Sequence, residues 1–205
     1  MAGLTTEILK AAVSRVTIEM EKCQSELDGL DGQLGDGDIG VTMVNGMRSM
    51  SDDVDEMPED VGMALMKCAQ ALTRVGGSSY ATLLATGFMS AAKVAKGQTE
   101  VAWSDVGGLL QAALEKMSER GKSQIGDKTV LDALEAVRSA VSDLSDPLEM
   151  LSAASKAIES AMDTFRDRPC KQGRARIFGD KSVGMDDPGM LAFKRIVEGL
   201  GMETQ

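Results

Sequence analysis

Histidine is absent from the 205 residues of this chain. The absence excludes a Ser-His-Asp triad, a histidine-ligated zinc site and a phosphohistidine relay formed by the chain itself. Acid–base chemistry must therefore use carboxylates or lysines, or depend on a partner.

Aromatic residues and cysteines are also scarce. Aromatics account for 3% of the sequence, whereas methionine contributes 15 residues. A core of this composition must use Ala, Leu, Val and Met, which favours helices over sheets. The three cysteines, Cys23, Cys68 and Cys170, form no CxxC motif, and we interpret them as reduced packing residues of a cytoplasmic protein.

Basic runs and long apolar runs are missing as well. The net charge is -10, so nucleic acids and anionic membrane surfaces are not expected as partners. No stretch approaches the ~20 apolar residues of a membrane-spanning helix. Residues 1–7 carry neither the basic nor the apolar region of a signal peptide.

Helical periodicity is present along most of the chain. Apolar residues recur every four positions from Leu4 to Met20 and predict a first helix that ends near Leu27. Seven further helices are predicted over 40–50, 58–75, 79–95, 104–120, 129–144, 147–165 and 188–200. Helix 79–95 is apolar nearly all round and is expected to be the most buried. Short connections predict an all-α antiparallel structure in which residues 1–205 form a single domain.

Asp31, Asp36 and Asp38 lie within one glycine-rich stretch, residues 30–40. Clustered carboxylates repel one another unless a cation lies among them, and glycines let the backbone turn tightly enough for the carboxylates to converge. Mg²⁺ binds one or two carboxylates together with phosphate oxygens and water. The stretch is either a magnesium site or a solvated acidic turn, and its spacing alone does not decide between them.

Three other glycine-bearing segments, 76–79, 126–129 and 173–182, fall at predicted connections between helices. Free N–H groups at a helix start bind anions, and the arginines of the third segment suit phosphate because each donates two hydrogen bonds. Taken singly, the segments are also typical of capped turns or a solvated basic loop. Together with the acidic stretch they predict a magnesium–nucleotide site at one end of a helical bundle, without a P-loop motif.

These four motifs, in this order, resemble the nucleotide-binding L subunit of dihydroxyacetone kinase, DhaL, and the equivalent C-terminal domain of single-chain kinases. The resemblance implies an eight-helix antiparallel α-barrel that binds ADP or ATP with two Mg²⁺ ions held by Asp31, Asp36 and Asp38. It gives catalytic roles to these aspartates and to Arg174. The nucleotide contacts that it implies are Gly76, Gly77, Ser78, Ser79, Gly126, Asp127, Thr129, Arg174, Asp187 and Pro188.

The function implied by the resemblance is phosphoryl transfer to a short-chain ketose such as dihydroxyacetone or erythrulose. In the kinases that it resembles, a histidine of a separate subunit or domain holds the ketose covalently, so the expected partner is a ketose-binding, DhaK-like subunit. Either ATP exchanges freely, or ADP is retained and rephosphorylated by a DhaM-like phosphotransfer protein. A regulatory nucleotide-binding module that signals to a partner protein, a plain helical scaffold, and assembly as a homodimer stay open.

The sequence departs from the family pattern at three positions. Ile39 stands where a histidine usually follows the acidic loop, and Met185 stands where another usually precedes Asp-Pro. Tyr80 begins the pair that replaces Gly-Pro after the phosphate turn. A docking face for the partner should expose contacts near the acidic loop, and Ile39 and Tyr80 are candidates for these contacts.

Overall fold

The structure is a computed structural model that describes residues 3–201. Within this range it is all-α, as predicted, apart from one very short sheet. The 3-10 segments Val54–Glu56, Trp103–Asp105 and Arg174–Ser182 lie in the connections, and the last of them is kinked at Gly179. The eight α-helices are α1 (Thr6–Leu34), α2 (Ile39–Asp52), α3 (Val61–Thr73), α4 (Ser79–Val94), α5 (Val106–Gly121), α6 (Val130–Val141), α7 (Pro147–Arg166) and α8 (Pro188–Leu200).

The helices form a closed antiparallel ring. Each helix packs against the next one in the chain, and α8 packs against α1 to close the barrel. The ion pair between Arg195 and Glu26, at 2.6 Å, crosses the seam between α8 and α1. The eight-helix barrel implied by the resemblance is therefore confirmed.

Helix starts follow the sequence closely where Asp precedes Pro. Asp146 accepts hydrogen bonds from the N–H groups of Leu148 and Glu149, both at 3.0 Å, at the start of α7. Asp187 accepts one from the N–H of Met190, at 2.9 Å, at the start of α8. Both predicted caps are confirmed.

Two other predicted helix starts are wrong. Helix α3 begins at Val61 after an Asp60 cap, because Pro58 lies in the irregular connection that comes before it. Helix α5 begins at Val106, because Ser104 lies inside a 3-10 helix that comes before it.

Helix α4 is not the most buried helix, contrary to the expectation. It buries six of its 16 residues, and Val94 at its end is 51% exposed. Helix α6 buries seven of 12 residues. Each helix of a ring turns one side toward solvent, and the apolar residues on the outer side of α4 stay there.

One sheet of two short strands was not predicted. Leu4–Thr5 pairs antiparallel with Glu100–Val101 and ties the start of the described chain to the connection between α4 and α5. Strands of two residues are too short to show an alternating pattern. No helix among residues 3–201 combines the length and the hydropathy that a membrane span requires.

Alternation of helix direction brings four connections to one end of the barrel, which we name the mouth. They are residues 35–38, 74–78, 122–129 and 167–187. All four sequence motifs lie in or beside these connections. The ring therefore gathers segments that are far apart in the sequence.

Candidate functional site

Asp31, Asp36 and Asp38 form a cluster at the mouth. Asp31 lies in the last turn of α1, and the other two lie in the turn that leads to α2. One carboxylate oxygen of each residue lies within 4.8 Å of the others, with Asp31 buried and Asp36 and Asp38 exposed. The structure thus brings together the three residues that the sequence singled out as metal ligands.

Backbone N–H groups fix the carboxylate of Asp31. Its Oδ2 accepts hydrogen bonds from the N–H groups of Gly37 and Asp38, both at 3.0 Å, and of Ile39, at 3.3 Å. A Cβ at Gly35 would collide with the other oxygen, Oδ1. Glycine at position 35 therefore leaves room beside Oδ1, the oxygen that these three N–H groups do not bind.

Asp28 is a residue of the site that the sequence analysis missed. Its Oδ1 accepts hydrogen bonds from the N–H groups of Gly40, at 2.7 Å, and Val41, at 3.1 Å. Asp28 and Asp31 together satisfy the N–H groups at the start of α2 and place negative charge at its positive end. The sequence contained a signal for Asp28, because it lies three positions before Asp31 and residues three apart on a helix share one face.

Arg174 reaches the cluster from the 167–187 connection. Its guanidinium forms an ion pair with Asp36, and its side chain is 56% exposed. The pKa of Asp38 lies above its ordinary value because protein atoms displace part of its water and because the carboxylates of Asp36 and Asp31 repel its charge. Arg174 offsets only part of this repulsion.

The donor set fits a hard divalent cation. Among the described residues, Asp31, Asp36 and Asp38 are a group of carboxylates whose oxygens can reach one ion. Mg²⁺ takes such oxygens and fills its remaining positions with water and phosphate. The repulsion that raises the pKa of Asp38 is what a bound cation would relieve.

Segment 76–79 forms the start of α4. Ser78 caps the helix by accepting a hydrogen bond from the N–H of Ala81 at 3.2 Å, and Ser79 is the first helical residue. Gly77 has a φ of 83°, which favours glycine. A Cβ at Gly76 or Gly77 would meet nothing within 4 Å. The turn therefore leaves open space around the N-terminus of a helix, a geometry suited to phosphate.

The conformation of segment 126–129 is fixed by hydrogen bonds to side chains of the segment and of the first turn of α6. Thr129 and Asp132 form a capping box at the start of α6, and Asp132 also accepts a hydrogen bond from the N–H of Gly126 at 2.6 Å. Asp127 is 5% exposed, and its Oδ2 accepts a hydrogen bond from the N–H of Gln124 at 2.9 Å. Asp127 and Thr129 thus shape this connection, and their contact with a nucleotide stays a prediction.

The 167–187 connection is folded through internal hydrogen bonds. Ser182 is fully buried; its hydroxyl accepts a hydrogen bond from the N–H of Cys170 at 2.8 Å and donates one to the carbonyl of Gly179 at 2.6 Å. Cys170 packs against Leu34 at the end of α1. The segment that carries Arg174 is therefore attached to the helix that carries the first aspartate.

The three departures from the family pattern have structural roles. Ile39 is 7% exposed, so the prediction that it lies exposed on a docking face is wrong. Tyr80 is partly buried and donates its hydroxyl to the carbonyl of Gly189 at 2.9 Å, which links the starts of α4 and α8. Met185 packs against the cluster that contains Leu34.

Asp187 and Pro188 begin α8 at the mouth. Asp187 is 8% exposed, and burial raises the pKa of its carboxyl to about 7, although hydrogen bonds from the N–H groups of Met190 and Gly189 and the nearby Lys128 lower it. Asp187 thus caps α8, and burial destabilises the ionised form of its carboxyl.

An open cavity of about 580 Å³ lies between the end of α5 and the 167–187 connection. Its walls are polar or charged: Ser118, Glu119, Lys122, Ser123, Gln124, Asp127, Lys171 and Gln172. Asp127 is the residue that this cavity shares with the predicted nucleotide contacts.

Comparison with known proteins establishes the family. The DAK2 domain family model matches residues 33–202. The ADP-binding subunit DhaL of PEP-dependent dihydroxyacetone kinase 2 from Listeria innocua is 32% identical over 178 residues, which are 83% of this chain and 82% of that protein. The chain therefore belongs to the DAK2 domain family.

Longer kinases contain a region similar to this chain. L-erythrulose 1-kinase from Mycolicibacterium smegmatis is 30% identical over 186 residues, 87% of this chain and 32% of that kinase. The crystal structure of the dihydroxyacetone kinase from C. freundii in complex with AMP-PNP and Mg²⁺ matches with a TM-score of 0.74 and 24% identity, over 98% of this chain and 34% of that one. The chain spans about a third of both kinases, and the structural match shows a shared fold.

Proposed function

We propose that this chain is the nucleotide-binding subunit of a kinase that phosphorylates a short-chain ketose, either dihydroxyacetone or a relative such as erythrulose. The convergence of Asp31, Asp36 and Asp38 beside Arg174 carries the proposal. The similar Listeria protein is named as an ADP-binding subunit, which supports the same function. In this proposal residues 1–205 form one cytoplasmic nucleotide-binding domain.

Different residues of the mouth would bind the magnesium ions and the phosphates of the nucleotide. Two Mg²⁺ ions on the three aspartates would neutralise the phosphate oxygens of ADP or ATP. Arg174 would donate two hydrogen bonds to a phosphate, and the N–H groups of 76–79 would bind another at the start of α4. The remaining proposed nucleotide contacts are Gly126, Asp127, Thr129, Asp187 and Pro188.

A separate ketose-binding, DhaK-like subunit completes the proposed kinase. Ile125, Ile177 and Val183 lie in the connections of the mouth and are 51%, 78% and 41% exposed, so they offer apolar contacts around the site. The Listeria relative is named as PEP-dependent, which supports a DhaM-like protein that rephosphorylates ADP retained by this chain.

Calorimetric titration of ADP into the purified chain, with Mg²⁺ or with EDTA, tests the site. Asp36→Asn and Asp38→Asn should abolish the magnesium-dependent binding while the helical circular dichroism stays, because these exposed carboxylates are not needed for the core. Asp55→Asn is the matched control, since it removes the same charge from an exposed position at the opposite end of the barrel. Equal ADP affinity in all four proteins would refute the site.

The number of ions is tested separately by titrating Mn²⁺ in place of Mg²⁺ and following its electron paramagnetic resonance signal. With ADP present, two ions should bind per chain, because three carboxylates and the phosphates together supply ligands for two shells. Binding of a single ion would reduce the proposal to one metal.

A further inference from the structure

Lys128 is a charged side chain enclosed by the protein. It is 1% exposed, although lysine is almost never fully buried unless it is paired. Its ammonium donates hydrogen bonds to the backbone carbonyls of Arg166, at 3.1 Å, and of Arg168 and Ser182, both at 2.8 Å. All three N–H donors of the ammonium are therefore used within the fold.

Two of the three carbonyls belong to the ends of helical segments, and the third, that of Arg168, lies two residues beyond the end of α7. Arg166 is the last residue of α7, and Ser182 is the last residue of the 3-10 segment Arg174–Ser182, which is interrupted by a kink at Gly179. Carbonyls at a helix end have no partner within the helix and carry partial negative charge. One ammonium thus caps two helix ends that meet beneath the mouth.

Residues 168–182 form an arch whose two feet are both bonded to Lys128. A backbone hydrogen bond from the N–H of Lys171 to the carbonyl of Asp127, at 3.0 Å, adds a second link to the same connection. Arg174 lies within this arch and contacts Asp36. The position of its guanidinium therefore depends on where the arch is held.

We propose that Lys128 is a positioning residue that fixes both feet of the arch and so places Arg174 against the phosphates of the nucleotide. The identity of the group that Arg174 binds rests on the proposed function. Lys128 itself does not contact the nucleotide, because its ammonium points into the protein and is bonded there. This distinguishes it from a lysine that binds phosphate directly.

A double-mutant cycle separates positioning from a general loss of stability. In the wild type, Arg174→Ala should weaken magnesium-dependent ADP binding by about tenfold or more, as expected for a charge-assisted hydrogen bond. In a Lys128→Met background the same change should cost about threefold or less, because Arg174 is already displaced. Equal losses in both backgrounds would overturn the proposal.

Hydrogen exchange tests the arch without any nucleotide. Lys128→Met should accelerate amide exchange in residues 168–182 and leave α2 and α3 unchanged, whereas Lys156→Met, the same change at an exposed position on α7, should alter neither. Unchanged exchange in the arch would overturn the proposal. If the wild type fails to bind ADP with Mg²⁺, the proposed function is wrong, and this measurement still decides the role of Lys128.

Lys128→Gln replaces Lys128→Met if the methionine variant does not fold. The glutamine amide keeps two N–H donors and carries no charge, so it can bond two of the three carbonyls. Its amide exchange rates in 168–182 should be faster than in the wild type. The effect of Arg174→Ala on ADP binding should be smaller in this background than in the wild type, although not abolished. Exchange rates and coupling equal to those of the wild type would overturn the proposal.

Discussion

Arg174 has an exposed guanidinium in contact with Asp36 and is the residue that we expect to bind a phosphate. Arg174→Lys keeps the charge but removes the planar pair of donors. We expect ADP binding to weaken by about 1–3 kcal/mol, measured by calorimetry with Mg²⁺ present. Arg176→Lys is the control, because Arg176 is exposed in the same connection. An unchanged affinity in the Arg174 variant would remove it from the site.

Asp187 gives the stability of the fold a specific pH dependence. The pKa of its carboxyl is about 7 in the folded chain, against an ordinary value of 3.8. Folding therefore favours the neutral form, whose contribution to stability is full below the unfolded pKa and is lost as pH rises through about 7. Asp187→Asn keeps a capping side chain without the charge.

We expect Asp187→Asn to raise the free energy of unfolding at pH 8 by on the order of 1–4 kcal/mol, with a smaller gain at pH 5. Urea unfolding at the two pH values measures this difference. Asp146→Asn is the matched control, since it changes the cap of the other Asp-Pro helix, where the carboxyl is less buried. A stability gain that does not depend on pH would contradict the assignment.

The three aspartates of the acidic cluster could be singled out from the sequence, whereas Lys128 could not. The three aspartates stand out in the sequence because clustered carboxylates repel one another unless a cation lies among them. Lys128 gave no such signal, because its carbonyl partners lie 38, 40 and 54 positions away in the chain. The packing of α7 against α6 brings the carbonyls of Arg166 and Arg168 within reach, and the fold of the 167–187 connection brings that of Ser182.

Glycines within helices define how closely neighbouring helices approach. In α3, a Cβ at Gly62 would lie 2.6 Å from the carbonyl oxygen of Ala92, whereas in α1 a Cβ at Gly29 would meet nothing within 4 Å. Gly62→Ala should therefore lower the thermal unfolding midpoint by forcing α3 away from α4. Gly29→Ala should raise stability by about 0.5–1 kcal/mol through helix propensity alone. Shifts of the same sign in both variants would contradict the packing of α3 on α4.

Helix ends were predictable where one residue determines them. Asp146 and Asp187 precede prolines, which cannot continue a preceding helix and fit the first turn of the next. Pro58 and Ser104 are not helix starts, because Pro58 lies in the irregular connection before α3 and Ser104 lies in the 3-10 helix before α5. The conformation of such connections depends on contacts with other elements, which the local sequence does not determine.

Closure of the ring is a property of the whole molecule that periodicity could not reveal. Apolar patterns gave eight helices and short connections, which fit many bundles. The return of α8 to α1 joins residues at the two ends of the chain, as in the pair of Arg195 and Glu26. The prediction of a closed barrel rested on the resemblance to a known family and not on the apolar pattern.

The complete kinase reaction should require a second subunit. This chain has no histidine to hold a ketose covalently. With ATP, Mg²⁺ and dihydroxyacetone or erythrulose, the purified chain should form negligible ketose phosphate in a coupled assay, and a cognate ketose-binding subunit should restore turnover. Robust phosphorylation by the chain alone would contradict this. ADP binding without turnover in the presence of the partner would favour the regulatory module instead.

Substitution of Ile177 tests the docking of the partner at the mouth, where its side chain is 78% exposed. Ile177→Glu should reduce turnover with the partner while leaving ADP binding unchanged, since a charge would have to be desolvated on docking. Leu148→Glu, at the opposite end and 75% exposed, is the control and should change neither.

The start of the described chain lies at the pole opposite the mouth. Helix α1 has 29 residues and runs the length of the barrel, so about 40 Å separates this pole from the acidic cluster. A domain joined there would need a linker of about 12 extended residues to reach the mouth of its own barrel. With a shorter linker it would have to serve the mouth of a neighbouring molecule. Attachment of the barrel to a sensor surface at this pole would leave the mouth facing solution, so that docking of a partner could be followed there without obstruction.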